Sequence, residues 1–155
     1  MKNDRFLFGI LIFIGVLVVT ALVLFATGRS GQDYVADGSP EAAVHNYILA
    51  LTREDYERAY GYLAAGEGKP SSVEFRTFFI RVDPHQNAGL RVGEAEMIED
   101  EAVVDVTVVQ GSSGPFDPGF DHPDTAVLQL EAGEWKIVMM PYPFWDFGWY
   151  AELPR

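Results

Sequence analysis

The chain has 155 residues and not one of them is cysteine. That single absence excludes disulfides, thiolate metal ligands, a cysteine nucleophile and a lipid-modified cysteine anchor. Histidine is nearly as scarce. His45, His85 and His122 stand far apart, and no pair has the HxxxH or HxH spacing that brings two imidazoles to one metal. No GxSxG nucleophile elbow occurs, and Gly111-Ser112-Ser113-Gly114 lacks the lysine and the strand-to-helix setting of a phosphate loop. No haem, iron–sulfur or quinone motif is present, so no cofactor is expected. Basic residues are also few, 11 Lys and Arg against 23 Asp and Glu. The first 29 residues hold Lys2, Arg5 and Arg29 against Asp4. The remainder therefore carries 8 basic and 22 acidic side chains, a balance of −14. A surface of that sign repels phosphate backbones and anionic lipid heads, which argues against nucleic acid as a partner.

What the chain has in plenty is apolar length near its start. Phe6 to Ala26 runs without a charge. As a helix it would reach ~31 Å, one hydrocarbon core. It is too long for the apolar part of a cleaved signal, and Ala26-Thr27-Gly28 is a poor cleavage site. The expectation is an uncleaved single-span anchor over 6–26, contacting membrane lipid, behind a cytoplasmic stub at 1–5. Lys2, Arg5 and the amino terminus outweigh Arg29 with Asp33 and Asp37, which puts the N-terminus in the cytoplasm by the positive-inside rule. The rest of the chain is then periplasmic or extracellular. Gly9 and Gly15 are too far apart for a GxxxG seam. The stretch 27–38 is rich in glycine and polar residues and reads as a flexible linker.

Residues 39–155 read as one domain. Ser39-Pro40-Glu41 is a helix start, with a cap, a proline at the first position and an acid at the positive end of the dipole. Ala43, Val44, Tyr47, Ile48 and Leu51 follow on one face. Thr52 to Asp55 opens a second helix bearing Tyr56, Ala59, Tyr60 and Leu63. Ser71-Ser72-Val73-Glu74 is a capping box ahead of Phe75, Phe78, Phe79 and Val82. After Asp83-Pro84 the period changes to two. Strands are expected over Leu90–Ile98, Glu101–Gln110, Thr125–Glu131 and Glu134–Met140, with a long loop from Gln110 to Asp124 and a hairpin at Ala132-Gly133.

Helices first and an antiparallel meander second is an α+β order. The run SPEAAVHNYILALTREDYERAYGYL resembles the opening helices of NTF2-like domains, especially small membrane-anchored bacterial ones. VGEAEMIEDEAVVDVTVV and TAVLQLEAGEWKIV resemble their later strands. The resemblance covers about Ser39 to Met140. It implies three helices packed on a curved antiparallel sheet, forming a cone with an apolar pocket. Tyr47, Tyr60, Phe75, Phe79 and Trp135 are the residues that would line it. The family contains isomerases and dehydratases as well as pure binding modules, and the fold does not choose between them.

A pocket enzyme would need a buried base and an oxyanion donor. Asp105 is the one acid in the middle of a strong strand, and Tyr47, Tyr56 and Tyr60 carry hydroxyls. The plainer reading places Asp105 on the wet face, opposite the valines. Asp117, Asp121, His122 and Asp124 offer ligands for a hard cation but lack the spacing of a calcium loop, so a solvated acidic loop is the plainer reading there. The most unusual stretch is the tail, where six of the ten residues from Pro141 to Tyr150 are aromatic. They either plug the open end of the cone or form an interface, since Trp and Tyr dominate binding hot spots. The expectation is that the core does not absorb all of Tyr142, Phe144, Trp145, Phe147, Trp149 and Tyr150, and that these residues meet a protein partner.

Together these features point to a non-catalytic, membrane-anchored, extracytoplasmic binding or accessory module in a bacterial membrane or envelope complex. One form of such a module is an accessory subunit of an electron-transfer complex. The alternatives are a binder of a small apolar ligand in the cone and, third, a pocket enzyme of isomerase or dehydratase type.

Overall fold

In a computed structural model the residues described are 10, 12–21, 33–84, 88–111 and 119–150. The chain divides into two compact units, 1–33 and 34–155. In the first, residues 12–21 are helical (α1) and exposed, and Thr20 Oγ1 donates back to the Val16 carbonyl at 2.8 Å. Among the described residues no helix is long and apolar enough to cross a membrane. Much of the expected span 6–26, and the whole stub at 1–5, lie outside the described residues.

The second unit begins with three helices whose ends are set by local chemistry. Ser39 caps α2 (Pro40–Thr52) by accepting from the Ala42 N–H at 3.2 Å. Asp55 caps the short α3 (Tyr56–Gly61) by accepting from the Arg58 N–H at 3.1 Å. Glu54, at φ 57°, makes the bend between the two. The Ser71–Glu74 capping box starts α4 (Ser72–Val82), and Asp83 ends it in the left-handed region. All three starts stand where short polar side chains precede an apolar period.

Four antiparallel strands follow in chain order: β1 (Ala88–Ile98), β2 (Glu101–Gln110), β3 (Phe120–Glu131) and β4 (Glu134–Met139). β2 alternates cleanly, with Ala102, Val104, Val106 and Val108 buried. The β1–β2 register slips between Val92 and Ala95. There the Glu41 carboxylate reaches across from α2 to accept from the Ala95 N–H at 3.2 Å. On the other side of the sheet the chain after α3 runs beside β4. The Ile137 N–H donates to the Tyr62 carbonyl at 2.7 Å, and the Ala64 N–H to the Ile137 carbonyl at 2.9 Å.

Two sequence expectations are corrected here. β3 starts at Phe120 rather than Thr125, so the end of the supposed loop is strand, with Gln110 opposite Phe120 and Thr107 opposite Pro123. Pro123 fits because β3 pairs with β4 only from Val127 onward, so among the described residues its earlier part has no strand on that side to receive an N–H. Residues 34–38 are pinned rather than a free tether. Asn46, fully buried on α2, accepts from the Val35 N–H at 2.9 Å and donates to the Val35 carbonyl at 2.8 Å and to Asp37. Tyr62 also donates to the Asp37 carboxylate, at 3.0 Å.

Candidate functional site

α2 lies against the sheet, α3 against α2 and α4 against α3, and the aromatic cluster between the helices is where a pocket was expected. α2 supplies Tyr47 and α4 supplies Phe75 and Phe79, at 0%, 0% and 1% exposure. Phase decides this, since a capping box at Ser71 puts residues 75, 78 and 79 on the inward side of the helix. Phe75 is ringed edge-on by Tyr47 at 6.4 Å, Tyr60 at 5.6 Å and Phe79 at 4.9 Å. Its remaining face is covered by Trp149, stacked at 5.5 Å and 28°. Trp149 also meets Phe78 and Phe79, and Trp145 lies behind it at 5.0 Å.

Four of the five expected pocket residues therefore come together, but as a packed cluster rather than a lining. Tyr47, Phe75 and Phe79 are too fully buried to touch a ligand. Trp135 stands apart, half-buried on β4 at the wall of a different cleft. Tyr60 turns its hydroxyl away to donate to the Pro70 carbonyl at 2.9 Å.

The tail splits between both of its readings. Phe144, Trp145 and Tyr150 are 2%, 1% and 6% exposed and Trp149 is half-buried, so the core takes in more of the tail than expected, though not all of it. Tyr142 and Phe147 remain exposed. Polar bonds fix the return of the chain. The Tyr47 hydroxyl donates to the Phe144 carbonyl at 2.9 Å, the Tyr150 N–H to the Gly68 carbonyl at 3.1 Å, and the Tyr150 hydroxyl to the Ala64 carbonyl. Burial pushes the Tyr47 phenol well above its ordinary pKa. It raises Tyr150 too, with Tyr60 and Glu131 adding to the effect.

A cleft of about 310 Å³ lies between the segment at Asp37–Ser39, the end of α3 and the β3–β4 hairpin. Trp135 and Ala43 give it apolar wall; Asp37, Arg58, Tyr62 and Lys136 give it polar wall. These polar groups are mutually engaged. Arg58 lies 3.4 Å over the Tyr34 ring. Lys136 donates to the Gly61 carbonyl at 2.9 Å and pairs with Glu134 at 2.7 Å. The Tyr62 phenol is raised, by burial first and by Asp37 as well, so at neutral pH it is a donor and not a base. The signal for this corner was in the sequence: Asn46, three residues after Ala43, sits on the apolar face of α2 and needs a partner there.

The remaining candidates are dispersed. Asp105 is exposed, opposite Thr125. His45 is half-buried on α2, and His122 is exposed and stacked on Phe120 at 5.9 Å. Asp121 pairs with Arg91 at 3.6 Å. Asp117 and His85 lie outside the described residues. Among the described residues no three His, Asp or Glu side chains converge as a metal set.

Helices ahead of a four-stranded antiparallel meander is the α+β order that the resemblance implies. No family model and no curated protein matches the chain. Solved structures do. A SEC-C motif protein from Rhodopseudomonas palustris is similar at TM-score 0.48 and 16% identity, over 64% of this chain and 75% of that one. A protein provisionally named an NTF2-like transpeptidase, from Campylobacter jejuni, is similar at TM-score 0.46 and 15% identity, over 66% and 99%. An NTF2-like protein from Burkholderia thailandensis is similar at TM-score 0.42 and 15% identity, over 66% and 87%.

Proposed function

We propose that this chain is a non-catalytic binding module, anchored by residues 6–26 with its N-terminus in the cytoplasm, whose exported domain joins a protein partner in a membrane or envelope complex. The observation that carries the reading is Trp149 stacked on Phe75. The place where a cone-shaped domain would admit a small apolar ligand is taken by the chain's own tail. Ring centroids 4.9–6.4 Å apart leave no room there for a second molecule. A filled interior leaves recognition to the surface. Tyr142 and Phe147, exposed at the same end of the chain, are the tail residues free to take part.

Asp105, the acid that the enzyme reading would use as its base, is exposed, which supports the binding reading over that one. The test is extraction of the full chain in a mild detergent followed by affinity capture. A stoichiometric co-purifying protein is the expected result, and a chain that always emerges alone would sink the proposal. The anchor has its own test. A reporter fused after Arg155 should be active only outside the cytoplasm, and cytoplasmic activity would reverse the orientation.

A further inference from the structure

Basic side chains are scarce in this domain, with eight after residue 29, yet three of them gather at the cleft of about 310 Å³ beside α3. Arg53 and Arg58 lie 4.9 and 3.4 Å from the centroid of one ring, that of Tyr34. Arg58 and Lys136 both line the cleft. The Lys136 Nζ donates to the Gly61 carbonyl at 2.9 Å, one helical turn on from Arg58. The two cations therefore stand at the same end of the cleft, one brought by α3 and one by β4.

Their contacts fix these groups without using them up. The Arg58 guanidinium is held over Tyr34 and has no ion pair among the described residues. Lys136 gives one N–H to Gly61 and one to Glu134, and an ammonium has three. Both carboxylates of the lining are partnered already. Asp37 accepts from Asn46 and Tyr62, and Glu134 pairs with Lys136. The spare polar groups are thus N–H donors on cations. Beside them Trp135, half-buried, supplies an aromatic wall. Gly38, Gly61 and Gly133 leave the space open, since a Cβ on any of them would meet nothing within 4 Å.

We propose that this cleft binds a small aromatic carboxylate, its ring against Trp135 and its carboxylate between Arg58 and Lys136. The volume stands at the lower end of small-molecule sites, which suits a single ring. Two cationic donors suit a carboxylate. Asp37 and Glu134 in the same lining oppose a dianion such as a phosphate ester. Neither Tyr142 nor Phe147 lines the cleft, so the inference goes beyond the partner reading and does not rest on it.

The probe is 4-fluorophenylacetate, followed by fluorine NMR as it is titrated against the full chain in zwitterionic nanodiscs, with empty discs as the blank. A dissociation constant on the order of 1 mM is expected for a ligand of about a dozen non-hydrogen atoms. The neutral amide of the same acid should bind roughly tenfold more weakly, and Arg58→Gln should weaken the acid by about as much. Arg58 is exposed, so this variant keeps the fold, which a thermal melt checks. Trp135→Leu should weaken acid and amide alike. Arg81→Gln, at an exposed arginine outside the cleft, should change nothing. Absence of binding, equal binding of acid and amide, or equal loss with Arg81→Gln would overturn the proposal. Release of a captured native partner by Arg58→Gln would give the cleft to that protein and also overturn it. If no partner is ever captured and the acid binds as described, the partner reading fails while this site stands.

Discussion

Gly68 and Tyr150 meet backbone to backbone. The Tyr150 N–H donates to the Gly68 carbonyl at 3.1 Å, and a Cβ placed on Gly68 would fall 2.7 Å from Tyr150 Cα. Gly68 is also at φ +83°, where an L side chain is strained. Gly68→Ala is therefore expected to cost about 1–3 kcal/mol, the range for forcing atoms into a packed site. Denaturant melts of the two proteins would measure it. A loss below about 0.5 kcal/mol, ordinary for a surface site, would mean the tail is not seated there.

Removing the tail altogether should do much more. Truncation after Met140 deletes Phe144, Trp145 and Tyr150 from the core and uncovers Phe75. Loss of cooperative unfolding is the expected outcome. Trp145→Ala isolates one part of this, and about 3–5 kcal/mol is expected. A truncated chain that still melts cooperatively would restore the view of the tail as an appendage.

This is where the sequence was least legible. The caps at Ser39 and Ser71 and the stripe Phe75–Phe78–Phe79 are local patterns, and each was readable within a few residues. β2 was readable because its valines alternate. The tail has neither period, so nothing local sorts Trp145 inward and Phe147 outward. The contacts that seat the tail are distant in sequence: Tyr47 donates to the carbonyl of Phe144, 97 residues later, and Tyr150 bonds Gly68 and Ala64. The first half of β3 was hidden for a related reason. Phe120-Asp121-His122-Pro123 does not alternate, and its pairing is imposed by β2. The tether reading failed at residues 34–38 because one buried amide, Asn46, holds them.

The Tyr47 hydroxyl gives a smaller and cleaner test. Tyr47→Phe keeps the ring and leaves the Phe144 carbonyl without its donor in a buried place. A cost of about 1–3 kcal/mol is expected. A neutral substitution would mean that water reaches this carbonyl.

Alkaline pH should act through the same residue. Burial holds the folded phenol of Tyr47 well above 10.0, its ordinary value. Above that pH the unfolded chain loses this proton while the folded chain keeps it. The unfolded state then binds fewer protons, so stability falls as pH rises. The contribution is whole below about pH 10 and is lost above it, at up to ~1.4 kcal/mol per pH unit for a fully buried phenol. Melting temperatures measured from neutral pH upward should decline past that point, and Tyr47→Phe should flatten the decline. A variant with an unchanged slope would remove Tyr47 as the cause.

The stacking of Trp149 on Phe75 also sets an order in time. A ribosome delivers residue 75 seventy-four residues before residue 149, and the ring waiting at 75 has no cover until Trp149 has followed it. The sheet and helices can gather earlier, but the centre of the aromatic cluster is the part of the domain that closes late.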